Sequence, residues 1–113
     1  MALDKPDLVD FVGIENDTGF AVLTIADDWD WENEREHLLA LQAKLTAYIS
    51  FIESGQIWAS YPDAIGRKLI IDVVGRFPIP QIGTDFLKRA SGASADLVTM
   101  IRSRHYPASQ QHE

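Results

Sequence analysis

An apolar stripe constrains this chain more than any other feature: Leu38, Leu41, Leu45, Tyr48, Ile49 and Phe51 or Ile52 recur at three- and four-residue spacing, while Gln42, Lys44, Thr46, Ser50 and Glu53 fill the opposite side. Side chains spaced this way share one side of an α-helix, so the segment predicts a long amphipathic helix, with Gly55 placed to end it. Asp30 is the expected N-cap, and Glu32 and Glu34 then favour the positive end of the helix dipole. From about Trp31 to Ser54 such a helix is roughly 36 Å long at ~1.5 Å per residue, enough to cross a small sheet diagonally. It is the central packing element of whatever this chain folds into.

The flanking segments supply the sheet. Leu8-Val9-Asp10-Phe11-Val12-Gly13-Ile14 and Phe20-Ala21-Val22-Leu23-Thr24-Ile25 are β-rich, and Glu15-Asn16-Asp17-Thr18-Gly19 between them is turn chemistry, with Gly19 free to take a positive φ. After the helix, Gln56 to Tyr61 reads as one more helical turn and Pro62-Asp63-Ala64-Ile65-Gly66 as a tight connection. In the run Lys68 to Phe77 one face is Leu69, Ile71, Val73, Gly75 and Phe77, the core side, and the other is Ile70, Asp72, Val74 and Arg76. Pro78 and Pro80 stop that strand, Thr84 is the expected N-cap of a short helix over about Asp85 to Ala93, and Phe86, Leu87 and Ala90 face inward. The segment Asp96 to Arg104 satisfies both patterns, and its β-branched content favours a strand. The order β-β-α-β-α-β predicts an α+β, two-layer fold, in which a mainly antiparallel sheet of about four strands is covered by one long helix and one short helix. Residues 1–106 are expected to form a single domain and residues 107–113 a disordered tail.

Composition removes several chemistries. The 113 residues include no cysteine, which excludes a disulfide framework, a thiolate metal site and a thiol nucleophile. No apolar run approaches the ~18 residues of a membrane span and the N-terminus has no signal-peptide pattern, so a cytoplasmic protein with no membrane contact is expected. The formal charge of −7 is lopsided: Asp and Glu crowd residues 1–56, whereas Lys and Arg slightly prevail afterwards. An acidic first half repels nucleic acid and suits a basic protein surface. The basic cluster Lys88, Arg89, Arg102, Arg104 and His105 is too small and too poor in interleaved aromatic residues to suggest a nucleic-acid site.

A resemblance adds to this reading. The hairpin followed by the acidic, tryptophan-bearing lead-in, then Leu38-Leu39-Ala40-Leu41-Gln42, Phe51-Ile52-Glu53-Ser54-Gly55 and Tyr61-Pro62-Asp63-Ala64-Ile65-Gly66-Arg67-Lys68, resembles a family of small bacterial proteins of unknown function over residues 7 to about 90. The resemblance implies the fold and no activity, cofactor or catalytic residue.

Candidate sites are few. Asp28, Asp30 and Glu32 alternate as calcium ligands do, but an EF-hand loop started at Asp28 needs glycine and glutamate where Asn33 and Leu39 stand. The strand residues Asp72-Val73-Val74 lack the lysine of a metal-dependent nuclease, and His37, His105 and His112 have no nucleophile elbow or orienting carboxylate at telling spacing beside Ser50 or Ser60. His37 is read as a partly exposed helix residue. No catalytic residue, metal ligand or cofactor is therefore assigned. The acidic run Asp27, Asp28, Trp29, Asp30, Trp31 and Glu32 is the first candidate, with one tryptophan sealing the core and the other free to anchor a partner. It points to a small non-enzymatic interaction module, of inhibitor or immunity type, for a basic protein surface. The alternative is a small-molecule-binding or hydrolytic pocket near Trp58, Tyr61, Asp63 and Arg67. A homodimer through an exposed edge strand is a third expectation.

Overall fold

Strands Phe11–Ile14 (β1) and Ala21–Asp27 (β2) pair antiparallel, and Gly19 in their connection takes φ 75°. This is the expected hairpin, closed by the Glu15 amide on the Phe20 carbonyl at 2.9 Å. The computed structural model describes residue 9 and residues 11–106, so Leu8, Asp10 and the expected tail from Pro107 lie outside the described residues. The long helix Glu34–Glu53 (α1) follows, then the short helix Gln56–Ser60 (α2), a 3-10 turn at Pro62–Ala64, strand Leu69–Gly75 (β3), helix Gln81–Ala93 (α3) and strand Met100–His105 (β4). The order β-β-α-β-α-β and the α+β class are as the sequence predicts.

Pairing along the sheet departs from the expectation of mainly antiparallel strands. The four strands lie in the order β1-β2-β3-β4, and only the first pair is antiparallel; β2 with β3 and β3 with β4 are parallel, which makes the sheet mixed. A helix that crosses the sheet between two neighbouring strands returns the chain to the edge it left, so the next strand must run the same way. Both crossovers here carry such a helix. Their common right-handed sense puts α1 and α3 on one face.

That face is the core. Leu23, Ile25, Ile71, Val73 and Ile101 of the sheet meet Leu41, Leu45, Tyr48 and Ile52 of α1 and Leu87 of α3, all buried. Tyr48 keeps its hydroxyl satisfied by donating to the Thr24 carbonyl at 2.6 Å. The helix-ending role of Gly55 holds: it follows Ser54 with φ 82°, and its amide bonds the Ile52 carbonyl at 3.0 Å.

Helices α1 and α3 both start at other residues than their expected caps. Helix α1 is capped by Asn33, whose side chain accepts from the Glu36 amide at 3.1 Å, while Asp30 accepts from the Glu32 amide in a separate turn. Helix α3 starts at Gln81 behind Pro80 rather than behind Thr84. Strand β4 begins at Met100, after a turn that ends in Val98 and Thr99. Lys44, placed by spacing on the polar side, is fully buried. No helix among the described residues is long and apolar enough to cross a membrane.

Candidate functional site

The parallel strands end together, with Asp27, Gly75 and His105 side by side in register at one edge of the sheet. From this edge the chain leaves β2 towards α1 and β3 towards α3, so the connections carrying Trp29, Trp31 and Phe77 gather here. Asp27 has the parity of Leu23 and Ile25 and therefore points to the helix side, under the first turn of α1.

There it meets His37. His37 Nε2 lies 2.6 Å from Asp27 Oδ2, and the two side chains are only 1 % and 4 % exposed. The other ring nitrogen, Nδ1, is 2.8 Å from the Asp30 carbonyl oxygen. A carbonyl only accepts, so Nδ1 carries a proton, and the Nε2–Oδ2 contact requires one further shared proton. Asp27 Oδ1 accepts from the Trp29 amide at 3.2 Å, which folds the acidic lead-in back over the strand end. The expectation of a partly exposed His37 is thus corrected: a partner ten residues upstream makes its burial affordable. A signal did exist, since His37 lies four residues before Leu41 and extends the buried stripe by one turn.

Both tryptophans pack on the imidazole. Trp31 stacks on it with centroids 3.5 Å apart and planes 12° from parallel, and Trp29 meets it edge-on at 5.8 Å. Trp31 in turn reaches α3, where a Cβ at Gly83 would lie 2.6 Å from Ile79 Cγ1 and 3.1 Å from Trp31 Cη2; only glycine leaves that space. Two clefts flank the pair and share Phe77 as a wall. The outer one, about 430 Å3, is lined by Asp28, Trp29, Asp30, Glu36, His37 and Phe77 among others. The inner one, about 240 Å3, lies between Trp31, Ile79, Ser103 and His105. In the lining of the outer cleft Asp30 and Glu36 are exposed, and Asp28 Oδ1 is buried with no hydrogen-bond partner. Among the described residues no group of three or more histidine, aspartate and glutamate side chains is arranged to hold a metal ion.

A model of a family of unknown function, DUF6572, matches residues 1–106. The chain belongs to that family. The match reaches past the expected limit near residue 90 and takes in the whole of β4. Comparison with curated proteins and with solved structures finds no match.

In this DUF6572 member the sequence-predicted residues do not all converge. The acidic run divides: Asp27 is committed to His37, Trp29 and Trp31 are half-buried against the same ring, and Asp30 and Glu32 face solvent. Of the alternative set, Tyr61 meets Phe51 edge-on at 6.3 Å and lines a surface groove of about 560 Å3 with Ser50, Ser54 and Ser60. Arg67 spends its guanidinium on backbone, donating to the Asp63 and Gly19 carbonyls at 2.8 Å each, which pins the Pro62–Ala64 turn to the hairpin.

A second polar group lies on the opposite face of the sheet. Asp72, 1 % exposed, receives Arg104 Nε at 2.9 Å and has Arg102 Nε at 3.4 Å from its other oxygen, while Arg102 also donates to Glu15 at 3.0 Å. The Thr18 hydroxyl and then the Arg102 guanidinium hold the Glu15 carboxyl below its ordinary value, and Glu15 is the main cause of the raised Arg102 value. Because β3 is an interior strand, Asp72 guards no sheet edge.

Proposed function

We propose that the protein is a small binding module whose acidic edge receives a basic surface of a protein partner, with Trp29 as the anchoring ring. The observation that carries this reading is the outer cleft: an aromatic wall of Trp29 and Phe77 beside Asp28, Asp30 and Glu36. Carboxylates around aromatic rings suit a cationic partner and steer its approach. The imidazole beside them supports binding over turnover, since each of its nitrogens already faces an oxygen within the protein. A base needs a nitrogen within reach of a substrate proton. An inhibitor or immunity-like role fits such a module.

Partner capture with the wild-type chain and with an Asp28→Asn, Asp30→Asn, Glu32→Gln, Glu36→Gln variant, both verified as folded, tests the reading. Capture that the variant loses, and that weakens steeply between low and physiological salt, is the expected result. Equal capture by both proteins would remove the acidic edge from the function. A second reading, a small-molecule site, rests on the hydroxyl-lined groove beside Tyr61. Saturable binding of a small molecule that Tyr61→Ala abolishes would favour it.

A further inference from the structure

We infer that the outer cleft is a receptor for a single arginine side chain of that partner, an inference that rests on the binding-module reading and adds the identity of the group received. Asp28 Oδ1 is withdrawn from water and accepts no hydrogen bond within the protein. A buried carboxylate oxygen left so is costly, and a turn of the half-buried side chain into the cleft lets a charge-assisted donor from outside remove the cost. The donor must be cationic, because Asp30 and Glu36 line the same cleft and no lysine or arginine does. It must also be flat. Trp29 and the 39 % exposed Phe77 offer ring surfaces beside the carboxylates of the lining. A guanidinium stacks on such rings while its edge donates to carboxylates, whereas an ammonium keeps a tightly held hydration shell that this wall cannot replace. Phe77 already receives one such group within the molecule: the guanidinium carbon of Arg76 lies over its ring, 5.7 Å from the centroid.

The test is an NMR titration of the full chain with two blocked pentapeptides, a single arginine or a single lysine flanked by glycines, with the indole N–H of Trp29 as reporter. The arginine peptide is expected to shift that resonance and to bind about tenfold more tightly than the lysine peptide at low salt. Asp28→Asn, which keeps the shape of the side chain, should weaken arginine binding about tenfold, and Glu36→Gln, on the exposed side of α1, should weaken it less. Equal binding of the two peptides overturns arginine selection. No shift at Trp29 from either peptide, with partner capture still dependent on the acidic residues, overturns the inference and leaves the binding-module reading standing. If partner capture also ignores those residues, both fall.

Discussion

Asp27 and Asp72 sit on neighbouring, paired strands and are almost equally buried, yet they face opposite sides of the sheet and are neutralised in different ways. Asp27 points into the helix layer and meets a histidine that is itself sealed from solvent. Asp72 points to the other face and meets two arginines that keep 34 % and 61 % of their side-chain surface in water. Burying a carboxylate costs several kcal/mol unless a partner is supplied, and the two faces differ in what that partner loses. On the helix side both members are desolvated, so neither has a refuge if the other is removed. On the open side the cations can return to solvent.

The sharpest way to break this comparison is His37→Phe, which keeps the ring between the tryptophans and strands the Asp27 carboxylate. A loss of about 3–5 kcal/mol in urea unfolding is expected, and the double change Asp27→Leu, His37→Phe should recover at least half of it. If the single variant were as stable as wild type, the pair would hold nothing. Asp72→Asn should cost less, about 1–2 kcal/mol by the same measurement, because Arg102 and Arg104 remain hydratable. A cost equal to that of His37→Phe would erase the distinction between the faces. Arg104→Gln removes the most exposed member and is expected to cost below about 1 kcal/mol.

The smallest effect sharpens the comparison through pH. Glu15 has its folded value lowered below 4.5, so its contribution is complete above that pH and disappears as pH falls through the lowered value. The difference in melting temperature between wild type and Glu15→Gln should therefore be present at neutral pH and close on acidification below about pH 4.5. A difference that stayed constant down to pH 2 would show that Glu15 acts by packing alone.

The fold was legible where periodicity and burial coincide. Leu41, Leu45, Tyr48 and Ile52 announced the face of α1, and Leu69, Ile71 and Val73 the inner face of β3, because large side chains at helical or alternating spacing have nowhere else to go. Strand direction was less legible. Alternation on β3 tells which residues face the helices but not which way the neighbour runs; the crossover helices decide that. The start of α1 is ambiguous in the sequence because Asp30 and Asn33 are equally good caps, and both do hold a turn. Of the candidate site, the acidic run was legible as a surface and illegible as a structure. Nothing local marks Asp27 as buried and Asp30 as exposed until β2 is extended as far as Asp27, which gives that residue inward parity. Lys44 escaped for a related reason, since a long cationic side chain is assigned to solvent by default.

The Glu15–Arg102 bridge joins residues 87 positions apart, the widest sequence gap among these ion pairs, whereas Asp27 and His37 are separated by ten. Closing the longer loop demands that both crossovers be in place and β4 be docked, so this contact belongs to the last stage of assembly. An interaction absent from the folding transition state governs how long the native state survives rather than how quickly it forms. Glu15 and Arg102 thus act as the latch on the finished sheet: in a chevron, Glu15→Gln should steepen nothing and slow nothing on the refolding limb, while native molecules open sooner.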